Sequence, residues 1–151
     1  MKQRFDLSAV SPDGYKAMFG LHKYVHASGL DQALLELVKI RVSQINSCAF
    51  CVAMHIPLAR KAGLTDDRLH MLAVWREAPV FTSRERAALA WAESLALLPN
   101  GEVPDADYDE ALRHFTAKEI ADLSFAVVEI GAWNRLMIAS RTPPQVESAA
   151  D

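Results

Sequence analysis

The sequence predicts an all-α protein, a single-domain bundle of six to eight helices. Three observations carry that prediction. Apolar residues recur at three- and four-residue intervals, as in "QALLELVKIRVSQI", where Leu34, Leu35, Val38, Val42 and Ile45 fall at helical spacing. Helix-start signals stand ahead of the periodic segments, and two have capping-box spacing: Thr82 with Glu85, and Thr116 with Glu119. No stretch of useful length alternates apolar and polar residues as a half-buried strand does; "AVVEIGAW" could pass for a strand but lies inside a longer helical period.

The elements follow in order. Ser11-Pro12 reads as an N-cap with proline in the first turn, opening a helix to about His26, and Ser28-Gly29 ends it. Asp31 caps a second helix through Ile45. Asn46-Ser47 breaks it and caps a third helix starting near Cys48, which contains Pro57 and stops at Gly63, a residue suited to a C-terminal cap. Thr65 opens a short fourth helix with Leu69, Leu72 and Ala73. "EAPVFTSRE" is a loop, Thr82 starts a fifth helix to about Leu98, and "PNGEVPD" is a second loop. Asp105 caps a short sixth helix, and Thr116 opens a long last one to about Ser140. Residues 141–151, "RTPPQVESAAD", read as a polar, frayed tail.

Composition narrows the function. The chain has 151 residues, an ordinary size for one domain, and 51% of them are hydrophobic, enough for a core without disulfide staples. A net charge of -3 and the lack of a Lys/Arg run give no electrostatic footprint for nucleic acid. No apolar stretch approaches the roughly 18 residues of a membrane span. The charged N-terminus, broken by Pro12 and Gly14, does not read as a signal peptide, so a cytoplasmic setting is expected. In a reducing compartment, a Cys-x-x-Cys pair points to redox or metal chemistry before a structural disulfide.

That pair is Cys48-Ala-Phe-Cys51, with His55 four residues further on. On a helix advancing about 100° per residue, Cys51 lies about 60° from Cys48, with His55 between them in angle and one turn along. Thiols in a first helical turn meet unpaired N–H groups and the positive end of the helix dipole, which favour a thiolate. The imidazole can take or return its proton. One thiol attacks a peroxide and becomes a sulfenic acid, and the other condenses with it to a disulfide that a reductant reopens. Glu36, twelve residues before Cys48 amid "LLELVKI", is a carboxylate in an apolar neighbourhood, where it is costly unless paired. Two helices joined by a short break fold back on one another, which brings Glu36 within reach of the thiols or His55.

Glu36, Cys48-x-x-Cys51-x-x-x-His55 and the following Ala-Gly-Leu turn resemble the AhpD-like alkylhydroperoxidases of the carboxymuconolactone decarboxylase superfamily. The similarity spans roughly residues 30 to 98, and "GAWNRL", Gly131 to Leu136, also looks like the last helix of small members. The resemblance implies an all-helical fold and a homo-oligomer, commonly a trimer or a hexamer. It implies Cys51 as the peroxidatic thiol, Cys48 as the resolving thiol, and a proton relay of His55 and Glu36. It also implies a thiol or lipoyl-type reductant and no cofactor. The best-studied branch carries a histidine just before the peroxidatic cysteine, where this chain has Phe50. The decarboxylase branch lacks the cysteine pair, so the thiols here argue against decarboxylation.

Alternatives stay open on the residues alone. The cysteines could be plain core residues, a dithiol–disulfide couple without peroxide chemistry, or redox sensors without turnover. With His55 and Glu36 they would also form an acceptable zinc set. Glu36 could instead pair structurally with Lys39 or Arg41. His22 and His26, four apart, can face one another, but no nearby acid or thiol makes them a metal site. Trp75, Trp91 and Trp133 read as core or subunit contacts, and Tyr24, Phe50 and Met54 as core before pocket. Arg84 and Arg86 read as a solvated helix face, and Glu129 and Arg135 as candidates for ion pairs between subunits.

Overall fold

The computed structural model describes residues 2–147, and it is all-helical. Its helices are α1 (Leu7–Val10), α2 (Pro12–Ala27), α3 (Gln32–Ile45), α4 (Ala49–Lys61), α5 (Asp66–Met71), α6 (Ser83–Ala96), α7 (Asp105–Leu112) and α8 (Ala117–Ser140), with 3-10 turns at Leu72–Val74 and Leu98–Asn100. Among the described residues, no helix is long and apolar enough to cross a membrane.

The spine of the fold is α3, which packs against α4, α6 and α8. Leu34, Leu35, Val38 and Val42 join a core built with α2, α6 and α8, while Leu37 and Ile40 face a second core with Leu64, Leu72, Trp75 and Phe81. A helix buried on both sides cannot keep a polar stripe in water. Its charged residues Glu36 and Lys39 are therefore buried too, both at 0% exposure, and must find partners inside.

Several helix ends match their sequence signals. Both capping boxes form, each threonine hydroxyl accepting from the glutamate N–H while that glutamate accepts from the threonine N–H. Asp31 Oδ1 accepts from Leu34 N–H. Gly63, at φ 93°, ends α4, and Leu64 N–H reaches back to Ala59 O. Pro57 sits within α4 without ending it.

Other expectations change. The helix at Leu7–Val10 carried no apolar period; Asp6 caps it through the N–H groups of Ser8 and Ala9. Asp105 is the first helical residue of α7, and Pro104 holds the cap position. Ser11 makes no side-chain cap bond. Arg84 and Arg86 stay partly exposed on α6, but each is tied into the fold. Arg84 bonds the His114 carbonyl and Glu119 while stacking on Phe115, and Arg86 bonds the carbonyls of Trp75, Arg76 and Ala78. Those carbonyls lie in an irregular segment, and a guanidinium satisfies several at once. Trp75 and Trp91 are core, their indole N–H groups donating to Glu93 and Ser124, and Trp133 packs edge-on against Tyr15 and Phe19. Tyr24 and Met54 are exposed rather than core, and the Tyr24 hydroxyl donates to Asp122.

Candidate active site

The turn between α3 and α4 builds the site. Ser47 adopts φ 57°, a left-handed conformation at the place where helices commonly use glycine. Cys48 N–H then donates to Ser43 O at 2.9 Å and Ser47 N–H to Gln44 O at 3.1 Å, the paired bonds of a Schellman ending. The chain reverses at once, and Cys48 becomes the N-cap of α4. Its Sγ takes the place of the usual capping oxygen and accepts from Cys51 N–H at 3.4 Å. Cys48 therefore stands one position before the first turn rather than in it. Asn134 of α8 pins the turn: it accepts from Asn46 Nδ2 at 2.9 Å and donates to Ser43 Oγ at 3.0 Å.

Cys48 and Cys51 are joined as a disulfide, with Cα atoms 5.4 Å apart, and both are buried. Cys48 lines two adjoining cavities, of about 250 and 450 Å3; Cys51 is not part of either lining. The smaller cavity is walled by Phe50, Met137, Ile138, Arg141 and Pro143, the larger by Ser43, Gln44, Val52, Ala53 and Ile56. Pro144 belongs to both. The tail expected to fray thus forms a wall of the site through residue 146: Thr142 N–H bonds Met137 O, and Arg141 takes φ 54° to turn the chain. Residues 148–151 of that tail lie outside the described residues.

Behind the disulfide, His55 Nδ1 lies 2.7 Å from Glu36 Oε2, both side chains buried. The two helices fold back as the short break predicted, and Glu36 reaches His55. Its other oxygen accepts from Gln32 Nε2 at 2.6 Å. Among the described residues, neither His55 nor Glu36 hydrogen-bonds a sulfur in this oxidised state, and no group of three or more His, Cys, Asp or Glu is placed to hold a metal ion.

The neighbouring charges differ from the sequence expectation. Glu36 pairs with neither Lys39 nor Arg41. Arg41 joins Glu93, which also accepts from Trp75 and Arg76. Burial pushes Glu93 up, but those three donors outweigh it and hold its pKa below the ordinary 4.5. Lys39 Nζ lies 2.8 Å from Glu129 Oε2 and 3.1 Å from His26 Nε2, and His22 Nδ1 lies 2.9 Å from Glu129 Oε1. Glu129 is therefore an internal partner, buried to 2%, and not a surface candidate for another subunit. Burial raises its pKa, yet Lys39 and then His22 bring it below 4.5. His22 and His26 do face one another, ring centroids 4.3 Å apart. Burial, Lys39 and His22 together push the His26 pKa down, so this imidazole is neutral at pH 7. Arg135 bonds Gly131 O within its own helix.

Sequence reading passed over Gln32, Lys39 as an internal cation, and Asn134. A lysine amid "ELVKI" and an asparagine amid "GAWNRL" were the available signals, each a polar residue within an apolar period.

A model of the carboxymuconolactone decarboxylase family matches residues 12–94, more than half the chain. The chain belongs to the carboxymuconolactone decarboxylase family. The family match takes in Gln32, Glu36, Lys39, Cys48, Cys51 and His55, and leaves Glu129 and Asn134 outside it. Uncharacterized protein YdfG of Bacillus subtilis is 39% identical over 139 residues, 92% of this chain and 95% of YdfG. A solved structure from Agrobacterium tumefaciens, a protein of unknown function described as a putative antioxidant defence protein AhpD, is 37% identical. It superposes with a TM-score of 0.94, covering 97% of this chain and all of that one. An uncharacterized peroxidase-related protein from Ralstonia eutropha, described as an alkylhydroperoxidase AhpD core, is 25% identical with a TM-score of 0.81 over 91% of this chain and 74% of its own. The all-helical architecture is thus the AhpD-like one of this family, and the Cys48–Cys51 disulfide supports a peroxidase-like redox role.

Proposed function

We propose that the protein is a thiol peroxidase that reduces hydrogen peroxide or a small organic hydroperoxide. The observation that carries this reading is the Cys48–Cys51 disulfide at the start of α4, with the buried Glu36–His55 pair behind it. In the reduced protein, the Cys51 thiolate attacks the outer peroxide oxygen. The O–O bond breaks, the sulfur becomes a sulfenic acid, and the leaving alkoxide takes a proton to depart as alcohol or water. The Cys48 thiol then condenses with the sulfenic acid, forming the S–S bond and releasing water. His55, one helical turn below Cys51 on the same helix, moves the protons, and Glu36 orients its ring and stabilises the imidazolium.

The reductant closes the cycle. An external thiolate attacks the sulfur of Cys48, the cysteine among the residues that line both cavities, and Cys51 leaves as a thiolate. A second thiol resolves the mixed disulfide. A dithiol of the lipoyl type supplies both thiols in one molecule. The mostly apolar walls suit an organic hydroperoxide, and the names of the Agrobacterium and Ralstonia proteins agree with peroxide defence. A homo-oligomer acting in the cytoplasm remains part of this reading.

One observation favours a second assignment of the thiols. Cys48 is the helix N-cap and the cysteine of the cavity lining, a placement that suits the attacking thiolate. The variants decide. Treating reduced protein with one equivalent of hydrogen peroxide should remove both thiols and about 2 Da, reversibly with dithiothreitol. Cys48→Ser should then hold a sulfenic acid at Cys51, and Cys51→Ser should lose peroxide reactivity. The reverse pattern assigns attack to Cys48, and two thiols indifferent to peroxide end the peroxidase reading.

A further inference from the structure

The Glu36–His55 pair is the inner end of a longer polar chain. Glu36 Oε1 accepts from Gln32 Nε2 at 2.6 Å, Gln32 Oε1 lies 3.1 Å from His26 Nδ1, and His26 Nε2 lies 3.1 Å from Lys39 Nζ. Lys39 is fully buried and stands 2.8 Å from Glu129, whose other oxygen meets His22. The titratable groups facing this chain are His22 and His26 from α2, Glu36 and Lys39 from α3, His55 from α4 and Glu129 from α8.

We propose that Lys39 is a positioning residue for the thiol pair: acting through His26, Gln32 and Glu36, it fixes which nitrogen of His55 carries the proton. This inference rests on the peroxidase reading only for the use made of His55. Its logic is the donor and acceptor inventory of each group. An ammonium has donors and no acceptor, so the His26 nitrogen facing it must be bare. His26 therefore carries its proton on Nδ1 and donates to Gln32, which must present its oxygen to His26 and its amide N–H to Glu36. A carboxylate receiving that N–H on one oxygen accepts from His55 Nδ1–H on the other. His55 Nε2 is then left as the base, free to take a thiol proton.

Without the cation the chain has a second arrangement. His26 can hold its proton on Nε2, Gln32 can flip, and its carbonyl would then face Glu36. Two acceptors then face one another, Glu36 Oε1 loses its donor, and the carboxylate is no longer held against His55 Nδ1–H. The buried lysine selects the one Gln32 orientation that holds Glu36, and an amide rather than a titratable group forms the middle link. Gln32 cannot pass a proton along as a hydroxyl or imidazole does, so the chain orients His55 without feeding protons to it.

The test is iodoacetamide alkylation of Cys51 in the reduced full chain, read by peptide mass from pH 5 to 9, with peroxide reaction rates beside it. Gln32 is exposed, so Gln32→Leu should fold, and circular dichroism checks that it has. It should alkylate about tenfold more slowly than native at neutral pH, the worth of one hydrogen bond to a charged group. Gln32→Glu supplies the signature that a structural role would not. Ionised, it cannot donate to Glu36; protonated, it mimics glutamine, so its rate relative to native should recover as the pH falls while that of Gln32→Leu does not. Lys39→Met alone leaves Glu129 unpaired, so Lys39→Met/Glu129→Leu is the variant that reads the cation, and it should match the Gln32→Leu deficit. Native alkylation rates in Gln32→Leu and in the double variant, or a Gln32→Glu ratio flat with pH, would overturn the proposal. Native thiols that alkylate but ignore peroxide end the peroxidase reading, and leave this one to be decided by the alkylation ratios.

Discussion

Glu129→Leu strands the Lys39 ammonium in the core, and the cost can be worked from the structure. The charges sit 2.8 Å apart with Lys39 at 0% and Glu129 at 2% exposure. At an effective dielectric constant of about 20, that separation gives a gross attraction of about 6 kcal/mol. Much of this offsets desolvation in the native protein, so the net worth of the pair is small. Removing one partner loses the attraction but keeps the desolvation, a net loss of about 3–5 kcal/mol. His26 Nε2 still accepts one ammonium proton, which favours the lower half of that range. For a chain of this size, the loss lowers Tm by about 6–20 °C. Lys39→Met/Glu129→Leu removes both charges and keeps the volume, and should lie within about 1 kcal/mol of native.

The assay is thermal unfolding of fully reduced protein at one fixed concentration, since any self-association makes Tm concentration-dependent. A Glu129→Leu protein as stable as native, or a double variant as unstable as the single, refutes the reasoning.

Acid should unfold the protein in a defined window. Thr116 N–H and the Arg84 guanidinium hold the Glu119 pKa at about 2, and Glu93 and Glu129 also lie below 4.5. Carboxylates depressed by folding contribute stability above their unfolded value and lose it as the pH falls through the folded one. The urea midpoint should hold from pH 7 to about 5 and fall between about 4.5 and 2; a midpoint unchanged down to pH 2 contradicts these ion pairs. Asn134→Leu leaves Asn46 Nδ2 and Ser43 Oγ without their partner beneath the cysteine turn, and should cost about 1–3 kcal/mol and slow the reaction with peroxide. Unchanged values of both would mean that the turn holds Cys48 by itself. Ala49→Leu narrows both cavities next to Cys48; it should raise KM for a bulky hydroperoxide while leaving hydrogen peroxide turnover within about twofold. Equal effects on both substrates would show that peroxides do not enter there.

Local patterns determined much of this protein. The helix starts at Asp31, Thr82 and Thr116 and the stop at Gly63 depend on bonds between residues a few positions apart, so the order of residues carries them. The spacing of Glu36, Cys48, Cys51 and His55 marked out a candidate site for the same reason: three lie along the cap and first half of one helix, and the fourth lies on a helix joined to it by a short turn. What only the tertiary structure decided is the company these residues keep. Lys39 and Glu129 are ninety positions apart in sequence, as are Ser43 and Asn134 to within one residue, and nothing local links them. They meet because α3 is enclosed by α4, α6 and α8, which leaves no water for Glu36, Lys39 and Ser43. A charge so enclosed must find its partner on whichever helix packs there, and that choice follows from how the helices pack. The same packing made a wall of the cavity from a tail whose own sequence read as frayed.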